Sequence, residues 1–75
     1  MKESDNYEFL KRFGNLVRMA RTNQDMSQEQ LAEKAGLHRT YIGMVERGEK
    51  NITIINIYKI ANALGISISK LVEKI

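Results

Sequence analysis

The stretch 27–48, SQEQLAEKAGLHRTYIGMVERG, constrains the fold of this chain more than any other. Ser27 and Gln30 form a Ser-x-x-Gln capping box, which predicts the start of a helix. Gly36 predicts its end, because glycine enters the left-handed backbone region at little cost. A second helix is expected from His38 to Arg47, closed by the last glycine of the stretch. Two short helices joined around a glycine indicate a helix-turn-helix unit.

The faces of the second helix differ in character. At about 100° per residue, Ile42 and Val45 share one side, which is predicted to face the core. The opposite, outward side carries Thr40, Gly43, Met44 and Arg47. Arg39 and Tyr41 flank this side, and Glu46 lies near the edge of the core. The glycine on this outward side has two interpretations. It permits close approach to another surface, or it is a tolerated weak point.

The chain before the unit predicts one helix. Asn6 or Asp5 is expected to cap it, after a polar tail from Met1 to Asn6, and it should run to about Thr22. Its inner face is predicted from residues at helical spacing: Phe9, Phe13, Leu16, Val17 and Ala20.

The chain after the unit predicts two more helices. Thr53 should cap a helix that runs to Leu64 and stops at Gly65, with its core residues at Ile54, Ile57, Ile60, Ala61 and Leu64. Ser67 or Ser69 should begin a last short helix, which carries Leu71, Val72 and Ile75. Residues 1–75 are therefore expected to form a single all-α domain, a compact bundle of five short helices.

Composition narrows the function classes. The chain has 75 residues and no cysteine, which excludes a disulfide framework and a thiolate metal site. It lacks an apolar run long enough for a membrane span, and MKESDNYEF lacks a signal-peptide core, so a cytoplasmic location is expected. The formal charge of +3 is compatible with a nucleic acid partner without establishing one.

Catalytic and cofactor motifs are not found in the sequence. His38 is the only histidine, and a lone histidine does not make a metal site. Glu29 and Glu33 are spaced as helical neighbours but should face solvent beside Lys34, so they do not indicate an acid–base pair. We expect neither an enzyme nor a bound cofactor, metal or small-molecule ligand.

The residues Arg21, SQEQLAEKAGL and IGMVERG resemble the phage-repressor (Cro-like, XRE-type) helix-turn-helix family. The block GLHRTYIGMVERGEKN is similar to the controller proteins of restriction–modification systems, which belong to that family. The resemblance implies a lambda-repressor-like fold and a partly buried Arg21–Glu46 ion pair. It also implies that Gln28 contacts the DNA backbone and that Lys50 and Asn51 face the DNA. For Lys50 and Asn51 a solvent loop is the competing interpretation. For Gln28 it is a capping neighbour without DNA contact, and for Arg21 it is an exposed arginine.

Sequence-specific DNA binding is the function that these features favour. Arg39 and Thr40 are expected to contact base edges, and Met44 a thymine methyl group. Tyr41 either touches the duplex or packs partly into the core. Contacts to the phosphate backbone are assigned to Gln28, His38, Arg47, Lys50 and Asn51. For His38 the other interpretation is that it caps the second helix of the unit. The alternatives are an antitoxin or phage-type immunity repressor of the same fold and, in a different class, a helical protein-interaction module that binds no DNA.

The last two helices carry more isoleucine than a small bundle can easily bury. Ile55, Tyr58, Ile66 and Ile68 are predicted to form an exposed apolar patch, which is typical of an association site. The resemblance implies a homodimer through these helices, which would place two recognition helices about 34 Å apart on a pseudo-palindromic operator. The alternative is that these side chains fold inward.

Overall fold

The computed structural model describes residues 3–75, with side chains described from Asp5 onward. Five helices follow one another in this part of the chain: α1 (Glu3–Thr22), α2 (Gln28–Ala35), α3 (Arg39–Glu46), α4 (Ile54–Leu64) and α5 (Ile68–Val72). These residues contain no strand, which confirms the predicted all-α class. Within the same residues, no helix has both the length and the apolar character needed to cross a membrane.

Local capping signals set the bounds of α2 as predicted. The Ser27 hydroxyl accepts a hydrogen bond from the Gln30 N–H at 3.0 Å, and the Gln30 side chain accepts one from the Ser27 N–H at 2.8 Å. This reciprocal pair satisfies two backbone donors that the helix itself cannot. Gly36 ends the helix in the left-handed region, with φ +69°.

The caps of α4 and α5 follow the same logic. The Thr53 hydroxyl accepts a hydrogen bond from the Asn56 N–H at 3.2 Å, and Gly65 closes α4 with φ +72°. Ser67, rather than Ser69, caps α5, because its hydroxyl accepts a hydrogen bond from the Lys70 N–H at 3.1 Å. The predicted bounds of α4 are confirmed.

The predicted start of α1 is wrong. The helix begins at Glu3 and already contains Asp5 and Asn6, which were expected to cap it. Acidic side chains in the first turns of a helix are stabilised by its dipole, so Asp5 favours continuing the helix as much as starting it. Met1 and Lys2 of the predicted tail lie outside the described residues.

All five helices contribute buried side chains to one core, in which α3 packs on α1 and α2, and α4 packs on α2. Its largest fully buried side chains come from four helices: Val17, Leu31, Ile42, Val45 and Ile60. The prediction that Phe9 and Ile54 belong to the core is wrong, because Phe9 is 48% exposed and Ile54 is 65% exposed. Both lie near the N-terminal end of their helix, beyond the reach of the core. The one-turn α5 is too short to cover Phe9, and the buried residues of α4 all lie in its second half.

Candidate nucleic-acid interface

A buried ion pair fixes α3 to α1. Arg21 donates from Nε to Glu46 Oε2 at 2.7 Å and from Nη2 to Glu46 Oε1 at 2.9 Å. The side chains are 11% and 3% exposed. Arg21 also donates from Nη1 to the Met26 carbonyl at 2.8 Å, so its guanidinium is hydrogen-bonded on both sides. This two-pronged contact matches the pair that the resemblance implies, and such contacts fix geometry as well as charge.

Gln28, the first residue of α2, joins the same contact. Its Nε2 donates to Glu46 Oε1 at 3.0 Å. Arg21, Gln28 and Glu46 therefore link α1, α2 and α3 at one point, which we call the Arg21 junction. The hydrogen bond to Glu46 raises the pKa of Arg21 despite burial, so the guanidinium stays charged. The junction fixes the orientation of α3 relative to α1 and α2.

Two glycines allow α1 and α3 to approach closely. A Cβ at Gly14 would overlap the Val45 carbonyl oxygen and lie 2.6 Å from that of Glu46. Gly48, with φ +75°, would place a Cβ 2.9 Å from the backbone of Lys11. The prediction of the inner face of α1 did not include Gly14. Gly14 lies seven residues before Arg21, which places both on one face of α1, and this spacing was the available signal for the close contact.

The N-terminal end of α3 is open to solvent. His38, Arg39 and Thr40 are all exposed. His38 occupies the N-cap position with extended backbone, yet its side chain makes no capping hydrogen bond. The first turn of α3 carries no acidic residue, so the positive end of the helix dipole is not compensated there. This end therefore combines a cation, a hydroxyl and backbone N–H groups, which suits base edges and phosphates.

Two further residues that the sequence assigned to base contact are half-buried. Met44 lies partly exposed beside Thr40 on the outward side of α3. Tyr41 packs against the core, and its hydroxyl accepts a hydrogen bond from Asn56 Nδ2 at 3.0 Å. This placement agrees with the core-packing alternative for Tyr41, whose side chain is only partly exposed. No signal in the sequence identified Asn56 as the residue that orients it.

Gly43 is not exposed, although the helical period placed it on the outward side of α3. It is buried because the side chains of Arg47 and Gln28 lie across it. Arg47 itself is held by Glu49, to which it donates from Nε at 2.9 Å and from Nη2 at 3.2 Å. This exposed pair raises the pKa of Arg47 and lowers that of Glu49 through the shared hydrogen bonds. Sequence reasoning missed Glu49, whose spacing of two from Arg47 across a glycine turn was the available signal.

Lys50 and Asn51 follow this turn, and both are exposed. They lie in the segment without secondary structure between α3 and α4. Together with Arg47 they place polar donors at the C-terminal end of α3, while Arg39 and His38 lie at its other end. The predicted backbone-contact residues therefore flank the helix at both ends.

A separate apolar surface lies on α4. Ile54 and Ile55 are each 65% exposed and Tyr58 is 59% exposed, and we call these three residues the α4 surface. Two other members of the predicted patch do not join it as exposed residues, because Ile66 and Ile68 are half-buried and pack against the core. Ile66 instead lines a groove beside Leu16 and Met19 of α1, since Gly65 turns the chain back toward that helix.

Comparison with known proteins places these features in a family. The profile of the helix-turn-helix family matches residues 17–71. The chain is 52% identical to control protein C.SmaI of Serratia marcescens, over 77% of this chain and 69% of that protein. It is 47% identical to control protein C.BamHI of Bacillus amyloliquefaciens, over 81% of this chain and 76% of that protein. The crystal structure of the restriction–modification controller protein C.AhdI from Aeromonas hydrophila superposes with a TM-score of 0.86 and 46% identity, covering 89% of this chain and 97% of that chain.

Proposed function

The chain belongs to the helix-turn-helix family and is similar within it to restriction–modification control proteins, and from this premise we propose that it is a DNA-binding transcriptional regulator. We propose further that it is the controller of a restriction–modification system. The observation that carries the proposal is the exposed N-terminal end of α3, held at a fixed angle by the Arg21 junction. A helix presented in this way can enter the major groove, which is wide enough to admit it.

The side chains at this end divide into readers and anchors. Arg39 reads a guanine through O6 and N7, and Thr40 contacts the neighbouring base. Met44, partly exposed on the same side, contacts a thymine methyl group. Tyr41, fixed by Asn56, presses its exposed edge on the sugar–phosphate backbone rather than reading a base directly. Arg39, Thr40 and Met44 would define the sequence preference directly, and Tyr41 would act on it only through the backbone.

Phosphate contacts position the reading helix. Gln28 lies at the start of α2, where backbone N–H groups and the helix dipole favour an anion. His38 lies at the start of α3, and Arg47, Lys50 and Asn51 lie just beyond its end. Contacts on both sides of the groove fix the register of α3 on the duplex.

A single α3 reads only a few base pairs, so we propose that the chain binds as a homodimer through the α4 surface. Three exposed apolar side chains on adjacent turns support this, because their burial against a second copy would remove them from water. A two-fold dimer presents two α3 helices about 34 Å apart to a pseudo-palindromic operator. The operators would lie before its own gene and before the endonuclease gene. Whether these genes are activated or repressed would then depend on how far the operators are occupied by the protein.

The experiment that tests this function is selection of bound sites from random duplex DNA, followed by affinity measurements on the selected duplex. Arg39→Ala should weaken binding by about 1–3 kcal/mol and relax the preference at one base position. The wild-type protein should show a log–log salt slope of several units and bind as two chains to one site.

The matched control is Arg12→Ala, which removes the same charge from an exposed arginine beside Phe9 and Ile75. It should leave the selected sequence unchanged. If the wild-type protein shows no salt-dependent affinity for any duplex, the DNA-binding function is wrong and a protein-interaction module takes its place.

A further inference from the structure

Gly43 lies inside α3, where glycine is a poor helix former and where the core does not require one. The three atoms nearest to an ideal Cβ built on Gly43, apart from its chain neighbours, would be Arg47 Nη1 at 3.1 Å, Gln28 Oε1 at 3.6 Å and Arg47 Cζ at 3.9 Å. The residue therefore leaves room for two polar side chains from different helices, rather than for hydrophobic packing.

In both side chains, the atoms that do not face Gly43 are hydrogen-bonded to a glutamate. Gln28 Nε2 is hydrogen-bonded to Glu46, so the amide oxygen is the end that faces Gly43. Arg47 uses Nε and Nη2 for Glu49, so Nη1 is the nitrogen that faces Gly43. Among the hydrogen bonds of the described residues, none uses Arg47 Nη1. The guanidinium is thus laid across α3 with one donor nitrogen still available.

We propose that Gly43 is a positioning residue for DNA binding. Without a Cβ at this position, the Arg47 guanidinium lies across α3 next to Gln28, where Nη1 is left to donate to a phosphate beside the reading helix. A methyl group at this position lifts Arg47 away and leaves its charge on a mobile, solvated side chain. The proposal rests on the DNA-binding function above and adds the residue that orients one of its anchors.

Gly43→Ala separates this role from folding. The thermal midpoint should stay the same or rise, because alanine is the better helix former, its Cβ would crowd only the flexible end of Arg47, and the contact with Gln28 Oε1 would be of ordinary length. Affinity for the selected duplex should fall about tenfold, the loss of one charge-assisted hydrogen bond. The log–log salt slope should become shallower by about one unit, because one phosphate contact is lost. Unchanged affinity and an unchanged slope would refute the proposal, as would a fall in the midpoint that accounts for the weaker binding.

A double-mutant cycle with Arg47→Ala tests whether Gly43 acts through Arg47. In the Arg47→Ala background, Gly43→Ala should change affinity by less than about twofold, because the side chain that it displaces is already gone. An equal loss in both backgrounds would mean that the methyl group obstructs the DNA itself, and the positioning role would be wrong. Wild-type protein that binds the duplex while Gly43→Ala binds equally well refutes only this inference, whereas wild-type protein that binds no duplex refutes the function on which it rests.

Discussion

The Arg21 junction and the α4 surface differ in whether their side chains have partners within the chain. At the junction, a buried charge finds its partner within the same chain, with Arg21, Glu46 and Gln28 all hydrogen-bonded to one another or to backbone. On α4, apolar side chains remain exposed in the single chain. The first region is complete by itself, whereas the second would be covered only in the proposed dimer.

The two regions differ in what they determine: the Arg21 junction fixes the orientation of α3, and the α4 surface is the proposed site of dimer assembly. A buried ion pair adds little net stability over a well-packed apolar group, yet breaking it by removing one partner is costly. It therefore suits a place where the angle between helices matters. Exposed apolar surface specifies no angle, but it supplies the free energy of association. Changes at the junction should act on folding, and changes on α4 should act on assembly.

The largest expected effect is that of Glu46→Gln. It leaves the charge of Arg21 buried without a carboxylate, which should lower the free energy of unfolding by about 3 kcal/mol or more. Urea denaturation measures this directly. Glu49→Gln is the matched control, because it removes a carboxylate from an exposed arginine pair and should change the unfolding midpoint little. If both variants unfold at the same urea concentration, the junction does not hold α3 to α1.

The next effect is that of Gly14→Ala. Its Cβ would meet backbone carbonyl oxygens of α3, which cannot rotate away as a side chain can. We expect a loss of about 2 kcal/mol in the free energy of unfolding, despite the better helix propensity of alanine. Gly43→Ala serves as the control, since the same substitution in α3 meets only a flexible side chain. A stabilised Gly14→Ala protein would show that α1 and α3 do not need their close approach.

The sequence predicted best what is decided locally. Caps such as Ser27 with Gln30, and stops such as Gly36 and Gly65, act within four residues, so they are readable without the fold. The inward residues Ile42 and Val45 were also predicted correctly, because a short helix with a clear apolar side has one way to face a core.

What the sequence could not supply depends on how long the neighbouring elements are and how closely they pack. Phe9 has core spacing, but α5 ends before it can cover that side chain. Gly43 has outward spacing, but Arg47 and Gln28 cover it. Ile66 and Ile55 look alike in the sequence, and only the turn at Gly65 directs the first of them toward α1.

The smallest effect on folding, and the one that most sharpens the comparison, is that of Ile55→Glu. Its side chain is 65% exposed and lies in the first turn of α4, where an acidic group is favoured by the helix dipole. The unfolding of the single chain, measured at low concentration, should therefore change by less than about 0.5 kcal/mol. In the proposed dimer, each copy would bring a new carboxylate into the apolar contact, so sedimentation should show that the dimer is lost. Met19→Glu is the control, because it places the same charge on a 51% exposed apolar residue of α1 and should leave association intact. Equal loss of association in both variants would point to net charge as the cause, and undiminished association of Ile55→Glu would mean that the chain assembles through another surface.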